Sequence, residues 1–126
     1  MTTIQPGLKP ATASSIRTEP SVIFSDLLDR LGAVSVAALA GARDAKTVYR
    51  WARPDGVRPR EASFRRAIFA HEQWERITTA SEDFVARAWF IAANQHLGYE
   101  TPVAAIGRDE FKKVASALDA FHKELV

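Results

Sequence analysis

From residue 21 onward, apolar residues recur at steps of three and four and nowhere alternate strictly with polar ones. That period predicts an all-α fold, a small helical bundle. Ile23, Phe24, Leu27, Leu28 and Leu31 share one stripe, with Ser21 as the expected cap and Gly32 as the stop. Two short helices follow: one over about 35–40, ended by Gly41, and one over about 45–52, capped by Asp44 and closed by Pro54, Asp55 and Gly56. A longer helix is expected over about 60–77, burying Phe64, Ala67, Ile68, His71 and Trp74. Thr79 and Glu82 have capping-box spacing and Ser81 is a rival cap, so the next helix starts near residue 82. It is expected to turn Phe84, Val85, Ala88, Trp89 and Ala92 inward, before a polar turn at Asn94, Gln95 and His96. Thr101 then caps a short helix over 103–106 that Pro102 opens, where its missing N–H costs nothing, and Gly107 ends it. Phe111, Val114, Leu118, Phe121 and Leu125 form the stripe of the last helix.

Residues 1–20 lack such a stripe and hold Pro6, Pro10 and Pro20 among scattered Ser and Thr, so they are expected to form a disordered tail. Three stretches result: the tail, a helix–turn–helix domain over 21–79, and a second helical domain over 80–126. With 126 residues, 47% of them hydrophobic, the chain can fill one modest core or two very small ones. Cysteine is absent, which excludes disulfides, cysteine-ligated metal and thiol nucleophiles. No apolar run suits a membrane span, and no signal pattern opens the chain, which points to a cytoplasmic protein.

Charge divides the chain unevenly. Twelve arginines and five lysines give a net charge of only +2, yet residues 43–66 hold eight cations against three anions. Residues 80–126 carry five cations against seven anions, which argues against contact with DNA phosphates there. Within the basic window, Val48 and Trp51 give the second short helix an apolar face toward the first, where Ala37, Ala38 and Ala40 allow close approach. Lys46, Thr47, Tyr49, Arg50 and Arg53 are left for the other face, the division a recognition helix needs. Arg50 is the first candidate for a base contact, since arginine bonds guanine through two N–H groups. Lys46 and Thr47 would hold phosphate at the helix start, and Arg43, Arg53, Arg58 and Arg60 would bracket the duplex. The turn is about one residue longer than usual, and a soluble three-helix domain with a basic face is the alternative reading.

Enzyme chemistry finds little footing. His71, His96 and His122 lack metal-ligand spacing, all six glycines stand singly, and no serine has a nucleophile-elbow context. No catalytic residue, metal or cofactor is expected, and the chain is not expected to be an enzyme.

Trp89, Asn94, Leu97, Gly98 and Pro102, followed by an amphipathic helix, resemble the toxin-binding domain of Xre/MbcA/ParS-type antitoxins. The stretch 41–51 resembles the helix–turn–helix half of the same family, in the same order, so the likeness covers about residues 21–126. Gln95 stands where the family often has proline, and the link before the last helix is shorter than usual. The resemblance implies an antitoxin of a type II toxin–antitoxin pair whose partner is a RES-domain toxin that destroys NAD⁺. It implies promoter binding by the N-terminal half, and a homodimer within a larger complex. On this chain the toxin-facing residues would be Asn94, Gln95 and Tyr99 with the tail His122, Lys123, Glu124, Leu125 and Val126. Phe121 and Leu125 could equally complete the core. A stand-alone helix–turn–helix transcriptional regulator is the alternative function.

Overall fold

The computed structural model describes residues 19–125. The tail expected over residues 1–20 therefore lies outside the described residues except for Glu19 and Pro20, and the role expected of Val126 lies outside them too. Seven α-helices and no strand account for the regular structure of that span: α1 (Pro20–Leu31), α2 (Ala33–Ala40), α3 (Ala45–Trp51), α4 (Glu61–Ala80), α5 (Asp83–Ile91), α6 (Pro102–Gly107) and α7 (Phe111–Leu125). A 3₁₀ turn (Gln95–Leu97) separates α5 from α6.

Local chemistry explains most starts and stops, and corrects three of them. Pro20 rather than Ser21 opens α1, because proline's fixed φ suits the first helical position; the Glu19 carbonyl accepts from the Val22 and Ile23 amides at 3.1 Å each. Helix α4 runs through to Ala80. The Thr79 hydroxyl donates back to the Glu75 carbonyl at 2.8 Å and caps nothing, and Ser81 closes α4 through its amide. Glu82 stands at the N-cap of α5 with no side-chain bond. Gly107 is the last residue of α6 rather than its stop, and the chain turns at Asp109, whose φ is 62°.

Every helix sends side chains into a single core, in which Trp74, Phe24, Phe90, Leu27 and Leu39 are wholly enclosed. The buried face of α4 is Ser63, Ala67, Ala70, Gln73, Trp74 and Ile77, leaving Phe64, Ile68 and His71 half-buried at its margin. His71 is thus a rim residue, with Nε2 at 3.2 Å from Asp26 Oδ2 of α1. The inward face of α5 is also rotated from expectation. Ala86, Trp89 and Phe90 are buried, while Phe84, Ala88 and Ala92 face out. Two apolar stripes compete on this helix, and the one carrying two large aromatics goes inside. There Phe90 lies 6.1 Å from Trp74 between ring centroids and 5.3 Å from Trp89, edge to face in the second case.

The boundary expected between residues 79 and 80 falls within the last turn of α4, and side chains from both stretches enter this one core. The two stretches differ in charge and share their interior. Helix α6 lies directly on α2, so close at Gly107 that a Cβ there would meet the Ala38 carbonyl oxygen at 2.7 Å.

Candidate nucleic-acid interface and partner face

The expected helix–turn–helix segment folds as α2, a four-residue turn over 41–44, and α3. Gly41 takes the left-handed conformation that the turn requires, with φ 74°, and the Ala42 amide returns to the Ala37 carbonyl at 2.8 Å. Asp44 then caps α3: its Oδ1 accepts from both the amide and the hydroxyl of Thr47 at 2.9 Å. Those two hydrogen bonds, chiefly the amide one, hold the Asp44 carboxyl below its ordinary value, with Arg50 and Arg43 adding to the effect. Val48 and Trp51 are buried, and Trp51 packs on Phe24 of α1 with ring centroids 5.2 Å apart. One face of α3 is therefore locked. The other presents Lys46, Tyr49 and Arg50 to solvent, flanked by the exposed Arg43, Arg53, Arg58 and Arg60.

Among the described residues none of those six cations has a carboxylate within 4.0 Å, whereas Arg30, Arg66, Arg76 and Arg108 are all paired. Arg43, Arg50 and Arg60 converge on an open cleft of about 280 Å³ with Asp44, Thr47 and Trp51. Arg60 also donates to the Gly41 carbonyl at 3.3 Å. Arg53 and Arg58 lie apart from this cleft, beside the start of α1. Thr47 is placed differently from expectation: both its donors are committed to Asp44, so it orders the turn and offers no free N–H or O–H to a phosphate.

Sequence reasoning missed Arg66. Its Nη1 donates to the Ala40 carbonyl at 3.1 Å, while Nε and Nη2 grip the Asp109 carboxylate at 2.9 and 3.2 Å. One guanidinium thereby ties the end of α2 to the loop before α7. The Arg66 bond is the main reason the Asp109 carboxyl lies below its ordinary value. The partners are 43 residues apart, and no local pattern joins them.

The C-terminal residues form a second surface. The backbone of Asn94 accepts from the Leu97 and Tyr99 amides at 2.9 and 2.8 Å, and its side-chain oxygen accepts from the His96 amide at 2.9 Å. Asn94 thus builds the turn, while Gln95 and Tyr99 project from it. Tyr99 holds a left-handed φ of 69° and is 73% exposed, a strained backbone for an aromatic residue. Phe84 (67% exposed) and Ile91 (51%) flank the exposed Ala88 on the outer stripe of α5. Phe84 was missed because the period alone had assigned it inward, and Ile91 had no assignment.

No protein family, curated protein or solved structure matches this chain.

At the end of α7, Phe121 is half-buried, 6.3 Å from Trp89 between ring centroids, and so completes the core. Leu125 is 49% exposed and Lys123 and Glu124 are exposed, with Glu124 4.0 Å from His96. His122 is half-buried, and both its Nε2 and the Trp89 Nε1 are enclosed without a hydrogen-bond partner among the described residues. Of the expected toxin-facing residues, Gln95, Tyr99, Lys123, Glu124 and Leu125 stand at the surface, while Asn94 and His122 are held inward. No helix among the described residues is long and apolar enough to cross a membrane.

Proposed function

We propose that this chain is an antitoxin: a binding protein that neutralises a RES-domain, NAD⁺-degrading toxin and also binds promoter DNA. The observation that supports it is a cluster of cations around α3, with a further set of large exposed apolar side chains in the C-terminal stretch. Six cations without an ion pair surround α3, and four of the seven large exposed apolar side chains among the described residues, Phe84, Ile91, Tyr99 and Leu125, lie between residues 84 and 125, the others being Val34, Tyr49 and Val57. The α2–turn–α3 pair then acts as a helix–turn–helix. Arg50 reads a guanine edge, and Arg43, Lys46, Arg53, Arg58 and Arg60 hold phosphates on either side. The outer stripe of α5, the Tyr99 turn and the end of α7 cover the approach to the toxin's active site. No step of chemistry falls to this chain, and it works as a homodimer within a larger complex.

The test is co-expression with a RES-domain toxin from the same genome. Rescue of growth and co-purification of the two chains are expected. Separate purification with no rescue would overturn the reading.

The unpaired cations by themselves favour a second reading, a stand-alone transcriptional regulator. Arg50→Ala should then weaken promoter binding by about 1–3 kcal/mol and relax specificity at one base pair. Unchanged affinity and unchanged specificity would count against any base-reading role for α3.

A further inference from the structure

The C-terminal stretch is net negative, but its charges are not evenly free. Asp109 is held by Arg66, and Glu100 and Glu110 both meet Arg108, at 3.6 and 3.3 Å. The cations around the α6–α7 loop that make no ion pair are Lys112 and Lys113 on α7 and Arg65 on α4, the last near enough to Asp109 to help hold its carboxyl below the ordinary value. All three are exposed, and none has a carboxylate within 4.0 Å among the described residues. Glu61, four residues before Arg65, is the nearby carboxylate on the same helix and also makes no ion pair within that distance.

Two contacts fix the start of α7, which carries Lys112 and Lys113, against α4. Phe69 of α4 stacks on Phe111 of α7 with ring centroids 4.5 Å apart and planes 14° from parallel, which seats the first turn of α7 against α4. The Arg66 guanidinium touches the Ala40 carbonyl on one side and Asp109 on the other, so the turn before α3 and the loop before α7 are separated by one side-chain group. Lys112 and Lys113 begin one helical turn beyond Asp109. Cations in the first turn of a helix oppose its dipole, a place where carboxylates stabilise and lysines weaken.

We infer that the DNA-contacting surface continues from the α2–α3 turn across Arg65 onto Lys112 and Lys113, which hold the phosphate backbone outside the site read by α3. This rests on the nucleic-acid half of the function proposed above. It assigns to the C-terminal stretch a DNA contact that its net charge argues against.

The experiment is fluorescence anisotropy of the full chain on a labelled promoter duplex across a salt series. The variants are Arg65→Gln/Lys112→Gln/Lys113→Gln and the charge-keeping Lys112→Arg/Lys113→Arg. Each lost phosphate contact lowers the slope of log K against log salt by about 0.9. The triple glutamine variant should thus lose about 2–3 from the slope and about tenfold or more in affinity at low salt. The arginine variant should keep both. Absence of wild-type binding would overturn the nucleic-acid reading and this extension with it. Wild-type binding with a triple variant of unchanged slope would overturn only the extension, as would weaker binding without a change of slope.

Discussion

Substituting Gly107 by alanine tests whether the two chemically distinct stretches share one interior. In an exposed helix the change would stabilise by about 1 kcal/mol, since alanine is the better helix former. Here the new Cβ would lie 2.7 Å from the Ala38 carbonyl oxygen, where ordinary contact begins at 3.4 Å, and the obstacle is backbone that cannot swing aside. Forcing extra volume into a packed contact costs about 1–3 kcal/mol, and the position at the end of α6 reduces the propensity gain to a few tenths. The clash wins. Gly107→Ala should destabilise by about 1–2 kcal/mol and lower Tm by roughly 4–10 °C. Urea unfolding followed by tryptophan fluorescence reads this directly, because Trp51, Trp74 and Trp89 are all buried. A raised or unchanged midpoint would refute the contact of α6 with α2, and with it the account of a continuous core.

Further outcomes follow from single contacts. The Thr101 hydroxyl accepts from the Ala104 amide at 3.0 Å, so Thr101→Ala should cost about 1 kcal/mol in urea unfolding. The Asp44 carboxyl titrates below its unfolded value of about 3.9; its cap is complete above that pH and is lost as pH falls through the lower folded value. Asp44→Asn should therefore flatten the acid side of the stability profile below about pH 4, measured by thermal melts. Phe84→Ser/Ile91→Ser, removing the outer stripe of α5, should leave stability within about 0.5 kcal/mol per site. A larger loss would show that the stripe belongs to the core.

Elements with a local cause were readable from sequence. Asp44, and Thr101 with Pro102, mark helix starts through their own hydrogen bonds or missing N–H, and the α7 stripe leaves one consistent inward face. Ser21 misled because serine is a good cap in isolation, while the proline beside it already supplied a helical φ. On α5 the period permits two stripes, and only Trp74 waiting on α4 decides that Trp89 and Phe90 go inside. That same choice exposes Phe84 and Ile91, so half of the proposed partner face depended on tertiary packing. The cations near α3 were legible from the order of charges along the chain. Their freedom from pairing was not, nor was the Arg66–Asp109 clamp that joins α4 to the loop before α7.

The claim that the C-terminal surface is an inhibitor's working face is tested most directly with purified components. NAD⁺ consumption by a RES-domain toxin is followed while wild-type chain, or Phe84→Asp/Ile91→Asp, is titrated in. The account predicts that stoichiometric wild type stops consumption and the folded double variant does not. Undiminished NAD⁺ loss at saturating wild-type protein, or equal inhibition by the variant, would contradict it.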